Sequence, residues 1–229
     1  MPLQLDLVRL GRDGAAQRLL CGRLGSRHCW CCSGCTPQTR LISAFEVLII
    51  TPRLSASLNA LGLLAVSVVL LFAFTDQLVF GDLPCPLCIL QRAGLSAAGF
   101  GLAMNLSFGP RPSHYGLMIL GAVVAGAVAL RQILLHIVPG SGAYGDAFLG
   151  LHFYTWSFLI SATIIVGSAC MLFFDRQFAT AAERHGLTGL ALTSFAVFAL
   201  LVMANGISTV LECGGGLCPD NPTTYLLLH

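Results

Sequence analysis

Lysine is absent from this 229-residue chain, and charged side chains of any kind are scarce. Asp, Glu, Lys and Arg together make up 10% of the residues, whereas a soluble globular domain carries about 25%. The formal net charge of +2 offers no basic surface, so no nucleic-acid partner is predicted. The hydrophobic fraction of 56% indicates instead that most of the chain faces a lipid bilayer.

Five segments are apolar over the roughly 20 residues that a helix needs to cross a bilayer. They run over approximately 58–78, 88–108, 115–138, 151–174 and 187–211. Short connections rich in Gly, Pro and polar residues join them, so neighbouring helices are antiparallel. The predicted fold class is all-α, an integral membrane four-helix bundle plus one additional C-terminal transmembrane helix.

Basic and acidic residues alternate between the two sides of this arrangement. Arginines lie before the first segment, between the second and third, and between the fourth and fifth: Arg40, Arg53, Arg111, Arg176 and Arg184. The opposite side carries acidic residues: Asp76, Asp82, Asp146, Glu212 and Asp220. Because short cytoplasmic loops are enriched in basic residues, the N-terminus is predicted to be cytoplasmic and the C-terminus to lie outside.

The ten cysteines are divided by this topology. Cys85 and Cys88, and likewise Cys213 and Cys218, are predicted to face the outer compartment, where disulfides persist. Five others lie near the N-terminus on the cytoplasmic side: Cys21, Cys29, Cys31, Cys32 and Cys35. Cys170, inside the fourth segment, is predicted to be a buried small hydrophobic side chain.

The run Cys85-Pro86-Leu87-Cys88 opens the second segment, with Arg92 four residues further on. Proline is tolerated in a first helical turn, and the positive end of the helix dipole favours a thiolate there. Spacings of three and four residues place Cys85, Cys88 and Arg92 on one helical face. Arg92 is then suited to stabilise the Cys88 thiolate and to donate to a carbonyl oxygen of a bound ring. The alternatives are a metal-binding C-x-x-C, or a structural disulfide with the arginine reaching outward.

These residues resemble the disulfide bond formation protein B family. The similarity covers roughly residues 55–175 and also includes Arg131-Gln132 with His136, and the run Gly150-Leu151-His152-Phe153-Tyr154-Thr155-Trp156. It implies a four-helix bundle in the bacterial inner membrane that holds ubiquinone or menaquinone. By the same resemblance, Cys88 contacts the quinone, Cys85 exchanges with a second cysteine pair and Arg92 supports the quinone. The implied partner is a periplasmic, DsbA-like thioredoxin-fold dithiol oxidase.

Three polar residues near the outer end of the third segment are further candidates for the quinone site. Arg131, Gln132 and His136 can all hydrogen-bond quinone oxygens or relay protons, and Gln132 and His136 share a helical face. The alternative is that they meet lipid headgroups at a helix end. His152, which opens the fourth segment, is a weaker candidate, because it could equally lie at the membrane interface.

The second cysteine pair departs from the family pattern, in which it lies between the third and fourth spans. The corresponding loop here, about 139–150, has no cysteine. Cys213 and Cys218 instead follow the fifth span and enclose three glycines, which give an adaptable backbone. We expect a relay in which this pair takes electrons from a protein dithiol and reduces Cys85–Cys88. A structural disulfide that staples the tail is the alternative.

Four regions follow from these observations. They are a disordered cytoplasmic segment (1–53), a quinone-binding thiol oxidase core (54–176), a cytoplasmic loop with the fifth helix (177–211) and a periplasmic tail (212–229). The first region does not have the pattern of a signal peptide. Its Cys- and His-rich run, 28–35, could alternatively ligate zinc.

Two other functions remain open from the sequence. A thiol–quinone enzyme of the vitamin K epoxide reductase type shares the general layout, but the C-P-L-C opening followed by Arg92 favours the disulfide bond formation type. A non-enzymatic metal-binding membrane protein would use its cysteines as ligands. Arg92 and Arg131 oppose that reading because they would repel a cation, and no metal site is predicted.

Overall fold

The computed structural model describes residues 52–138, 147–179, 189–220 and 222–228. The predicted disordered segment, 1–53, and its zinc alternative lie outside the described residues, apart from residues 52 and 53, which begin the first helix. In chain order the elements are α1 (Pro52–Val79), α2 (Pro86–Phe108), α3 (Pro112–Leu135), β1 (Ala147–Phe148), β2 (Leu151–His152), α4 (Phe153–Leu172), α5 (Arg176–Ala179) and α6 (Gly189–Cys213).

Five of these helices, namely α1, α2, α3, α4 and α6, are long and apolar enough to cross a membrane. They confirm the all-α, five-span membrane fold. The second and third spans begin earlier than predicted, at Pro86 and Pro112, because proline is favoured in the first turn of a helix. The fourth begins later, at Phe153, because the residues before it form a short strand.

The first four spanning helices pack in chain order, α1 against α2, α2 against α3 and α3 against α4. The contact of α2 with α3 is close because small residues face each other across it. A Cβ atom added to Gly94 would lie 2.8 Å from the backbone nitrogen of Ala125 and 2.9 Å from the carbonyl oxygen of Gly121. The fifth spanning helix, α6, packs mainly against α1 and so lies beside the four-helix core.

The outer surface of the helices is apolar, as expected of a protein in a bilayer. Large side chains such as Val68, Leu120 and Leu200 are more than half exposed. Cys170 on α4 is also exposed, so the prediction that it is buried was wrong. Lipid is as apolar as a protein interior, and a small apolar side chain therefore has no need to be buried in a spanning helix.

A polar network ties the helices together at the end of the bundle away from the two cysteine pairs. The hydroxyls of Tyr115 and Ser55 both donate to Oε1 of Gln177, each at 3.0 Å. The Tyr115 hydroxyl also accepts a hydrogen bond from Nδ2 of Asn59. These bonds join α1, α3 and the short helix α5. They give buried polar atoms the partners that an apolar environment requires.

A small β-hairpin precedes α4. Its strands pair Ala147 with His152 and Phe148 with Leu151, and the turn residues Leu149 and Gly150 have φ of 53° and 81°. The indole nitrogen of Trp156 donates to the carbonyl oxygen of Phe148 at 3.0 Å, which holds the hairpin against α4. The sequence predicted only a Gly-rich connection here.

Candidate active site at the cysteine end of the bundle

The first pair, Cys85 and Cys88, lies at the start of α2. Cys85 is the N-cap residue, and its sulfur accepts a hydrogen bond from the backbone nitrogen of Cys88 at 3.2 Å. The two sulfurs are joined as a disulfide, with the Cα atoms 5.0 Å apart. Cys85 is buried and Cys88 is half-buried. Both sulfurs therefore lie near the positive end of the helix dipole, which stabilises a thiolate.

Gln132 from α3 lies directly against this disulfide. Its Nε2 is 3.6 Å from the sulfur of Cys85 and 3.7 Å from that of Cys88. Its Oε1 accepts a hydrogen bond of 2.6 Å from Nε2 of Gln91, which lies on α2. Gln132 was predicted as a quinone ligand, and the structure places it between the cysteines and Gln91. Gln91 was not predicted, although a glutamine inside an apolar span was a visible signal.

A cavity of about 380 Å³ opens beside Cys88, between α1, α2, α3 and α4. Most of its wall is apolar, for example Val69, Phe72, Leu95, Phe153 and Ile160. Polar side chains converge on it from all four of these helices: Asp76, Gln91, Arg92, Gln132 and Ser157. Phe148 of the hairpin completes the wall and packs against Phe72 with ring centroids 5.0 Å apart. A largely apolar cavity with a few polar groups suits a small organic ligand.

Arg92 lines the cavity, but its guanidinium is held mainly by neighbouring helices. It donates to Oε1 of Gln77 at 2.7 Å and to the carbonyl oxygen of Ala73 at 2.8 Å, both on α1. It also donates to Oδ1 of Asn205 on α6 at 3.2 Å. None of these three bonds reaches Cys88. Arg92 thus connects the helix that carries the first pair to the helix that precedes the second.

The remaining polar candidates lie at the rim of this region. Arg131 is exposed on α3. The Nδ1 atom of His136 lies 2.8 Å from the carbonyl oxygen of Gln132, and its ring stacks on Tyr154 with centroids 5.5 Å apart. His152 stacks on Tyr154 as well, at 5.2 Å. Of these residues only Tyr154 lines the cavity, so Arg131 and His136 lie outside the cavity wall to which Gln132 contributes.

The second pair, Cys213 and Cys218, lies at the same end of the bundle. Cys213 is the last residue of α6, and the pair is joined as a disulfide with Cα atoms 4.5 Å apart. The tail then folds back, with the backbone nitrogen of Leu227 donating to the carbonyl oxygen of Leu211 at 3.0 Å. Nε2 of Gln77 donates both to the Tyr225 hydroxyl and to the Ser208 hydroxyl. The tail and α6 are therefore fixed to the end of α1, next to Arg92.

No group of three or more His, Cys, Asp or Glu side chains is placed to hold a metal ion in the part of the chain that the structure describes. The polar groups at the cysteine end are mostly amides and a guanidinium. Guanidinium is a hydrogen-bond donor only, so this set of groups suits carbonyl or thiolate acceptors better than a cation.

The chain is similar to known proteins over its core. The family model for the disulfide bond formation protein DsbB matches residues 55–171, about half of the chain. The disulfide bond formation protein B of Marinobacter nauticus is 44% identical over 82 residues, which are 34% of this chain and 45% of that protein. That of Chromobacterium violaceum is 39% identical over 72 residues, 30% of this chain and 43% of the relative. The chain thus spans a little under half the length of these curated relatives. No solved structure matches it significantly.

Fold and site together define a multi-pass helical membrane protein with two cysteine pairs at one end of its bundle. The matched segment contains α2, α3, the first pair, Gln91, Arg92 and Gln132. The chain belongs to the DsbB family of disulfide bond formation proteins. It is a five-span member whose second pair follows the fifth span.

Proposed function

We propose that the chain is a protein-dithiol:quinone oxidoreductase of the bacterial inner membrane. The observation that carries this proposal is the position of Cys88. Its half-buried sulfur belongs to one half of a disulfide and also to the wall of the cavity between the four core helices. A disulfide that borders an apolar cavity and lies at the same end of the bundle as a second cysteine pair can accept electrons from that pair and release them into the cavity.

The cavity fits a quinone ring by the chemistry of its wall. Its apolar side chains suit a ring and an isoprenoid chain, and Gln91, Arg92 and Gln132 offer N–H donors for carbonyl oxygens. Arginine has five N–H donors, and the three bonds to α1 and α6 leave others for a ligand. When bound, ubiquinone or menaquinone supplies an acceptor of two electrons and two protons. Arg131 and His136 remain predicted ligands at the rim.

The cysteines are proposed to act as a relay. A thiolate of the protein substrate attacks the second pair, and a second thiolate of that substrate then resolves the mixed disulfide, leaving Cys213 and Cys218 reduced. These two thiols reduce the first pair by the same exchange, with Cys85 as the attacked sulfur. Cys88, which faces the cavity, is the proposed electron donor. Two electrons move at each stage, and each disulfide that breaks is replaced by one that forms.

The side of the membrane on which the proposed reaction occurs is inferred from the uneven distribution of arginine between the loops. This asymmetry supports the proposal that the N-terminus is cytoplasmic and that both cysteine pairs face the periplasm, where a DsbA-like thioredoxin-fold protein is the proposed partner. A membrane-impermeant thiol reagent applied to reduced, intact spheroplasts should label Cys213 and Cys218. If these cysteines were labelled only after lysis, the second pair would face the cytoplasm and the proposed orientation would be wrong.

The decisive experiment is quinone reduction by the purified protein, supplied with a reduced thioredoxin-fold dithiol protein. We expect dithiol-dependent reduction of ubiquinone or menaquinone by the parental chain and its loss in Cys88→Ala. Cys170→Ala is the matched control, because this cysteine is unpaired and lies on the outer surface of α4. It should retain the parental rate.

Two outcomes would contradict the proposal. One is the absence of quinone reduction by the parental protein with either quinone. The other is equal loss of the reaction in Cys170→Ala and Cys88→Ala, since that would indicate general damage to the bundle rather than removal of the electron donor.

A further inference from the structure

The amide of Gln132 is oriented with respect to the first disulfide by a second buried amide. Gln132 is 2% exposed and Gln91 is 6% exposed, so neither side chain is free to exchange partners with bulk water. Gln91 donates from Nε2 to Oε1 of Gln132 at 2.6 Å. The Nε2 of Gln132 then faces the sulfurs of Cys85 and Cys88, at 3.6 and 3.7 Å.

The orientation matters because a primary amide has a donor end and an acceptor end. With its oxygen engaged by Gln91, Gln132 can present only N–H to the sulfurs. A disulfide sulfur is a weak acceptor, whereas a thiolate carries a full negative charge and accepts a much stronger bond. The same N–H group therefore stabilises the reduced pair more than the oxidised pair.

Helix packing keeps the two amides within reach of each other. Gln91 lies one turn before Gly94, where α2 and α3 approach so closely that an added Cβ would lie 2.8 Å from the backbone of Ala125. The two helix backbones cannot move closer, and α3 carries Gln132 two turns further along. The glutamine pair is thus held on rigid elements, as a group that orients another must be.

We propose that Gln91 is a positioning residue that directs the Gln132 N–H toward the thiolate formed when the first pair is opened. An incoming thiolate attacks the sulfur of Cys85 and forms a new disulfide with it. The Cys85–Cys88 bond breaks, and its electron pair remains on the Cys88 sulfur as a thiolate. Gln132 donates to that thiolate, and no proton is transferred in the step. The pair becomes a stronger oxidant as a result.

The proposal rests on the proposed function only in requiring that the first pair is redox-active. The test is the equilibrium between the first pair and a small-molecule thiol buffer, measured on the full chain in detergent without quinone or protein partner. Alkylation of the free thiols, quantified peptide by peptide, reports the first pair separately from the second. The thiolate absorbance of the reduced pair, followed against pH, is the second readout.

The informative variants replace the amide of residue 91 in two ways, one of which adds a charge and one of which does not, so a shift shared by both reports the lost hydrogen bond. In Gln91→Glu the carboxylate accepts but does not donate, so Gln132 turns its N–H toward residue 91 and its oxygen toward the sulfurs. We expect the equilibrium constant for reduction to fall roughly tenfold, as for the loss of one hydrogen bond to a charged acceptor. The thiolate should also form at higher pH. Gln91→Met, which lets the Gln132 amide rotate freely, should give a smaller shift in the same direction. This variant alone can test the proposal if Gln91→Glu does not fold.

Gln177→Met is the matched control, because Gln177 is also a buried glutamine, 1% exposed, but lies at the opposite end of the bundle. It should lower thermal stability without moving the redox equilibrium. Parental equilibria and pH profiles in both Gln91 variants would overturn the proposal, as would an equal shift in Gln177→Met. A failure of quinone reduction would instead overturn the proposed function and leave this result standing.

Discussion

The two cysteine pairs occupy opposite ends of their helices. Cys85 is the N-cap of α2, whereas Cys213 is the last residue of α6. A helix N-terminus stabilises a nearby thiolate and a C-terminus destabilises it. The last turn of α6 contains no basic residue that would offset this effect. The fold therefore favours the thiolate form at the first pair and the disulfide form at the second.

The groups that lie next to the two pairs also differ. The first pair is enclosed by α2, α3 and the amide of Gln132. The second lies in a loop whose residues Gly214–Leu217 are all exposed, with Leu217 97% exposed and positive φ at Gly214 and Gly215. Burial does not distinguish the two pairs, because Cys85 and Cys213 are both 6% exposed and Cys88 and Cys218 are both half-buried. The difference lies in the neighbouring groups, which are a buried amide at the first pair and an exposed, glycine-rich loop at the second. A protein that approaches this end of the bundle can meet that loop.

The largest effect should come from removing the second pair, which leaves the first without its proposed source of electrons. In Cys213→Ser combined with Cys218→Ser, oxidation of a reduced thioredoxin-fold protein should fall to the uncatalysed background. A small thiol such as dithiothreitol should still reduce the first pair, because it does not need the exposed loop. The measurement is quinone reduction with each of the two reductants.

This double variant also tests the alternative of a structural disulfide. Oxidation of the protein dithiol at the parental rate would show that the second pair only staples the tail. Loss of turnover with both reductants, together with a lowered midpoint of thermal unfolding, would also indicate a structural disulfide.

A smaller effect is expected from breaking the connection between the two regions at Arg92. Arg92→Met removes three hydrogen bonds that join α2 to α1 and α6. At about 0.6 kcal/mol for each bond within a membrane bundle, the protein should lose about 2 kcal/mol of stability. Unfolding in mixed micelles, measured without quinone, is the appropriate assay.

Arg111→Met is the matched control for this substitution, since Arg111 is exposed at the opposite end of the bundle. It should change the unfolding free energy very little. Equal destabilisation by the two substitutions would mean that the hydrogen bonds of Arg92 to α1 and α6 do not stabilise the bundle.

The sequence predicted the spans because their signal is local. Five apolar runs of sufficient length fix five helices, whatever their partners, and the prolines at positions 86 and 112 explain the shifted starts. Burial within a span was not predictable in the same way. Cys170 was placed inside because apolar residues are buried in soluble proteins, but in a bilayer both faces of a helix can be apolar.

The site was only partly visible for a different reason. Cys85, Cys88 and Arg92 share one local motif, and their proximity follows from helical spacing. The contact of Gln91 with Gln132 joins residues 41 positions apart, and that of Arg92 with Asn205 joins residues 113 apart. These pairings depend on which helix faces which, and apolar periodicity does not determine that in a chain surrounded by lipid. Phe148 carried no signal at all, because its place in the cavity depends on the hairpin.

The smallest predicted effect is the one that the helix ends alone should produce on the reduction potentials. A dipole term of about 0.3–1 kcal/mol at each helix end corresponds to a total difference of about 10–40 mV between the pairs. The first pair should be the more oxidising, so that electrons flow toward it from the second. Each potential can be measured by equilibration with a thiol buffer in the variant that lacks the other pair. A second pair as oxidising as the first would contradict the argument. In Gln132→Met, which removes the amide contribution, the first pair should keep the higher potential by the remaining helix-end difference.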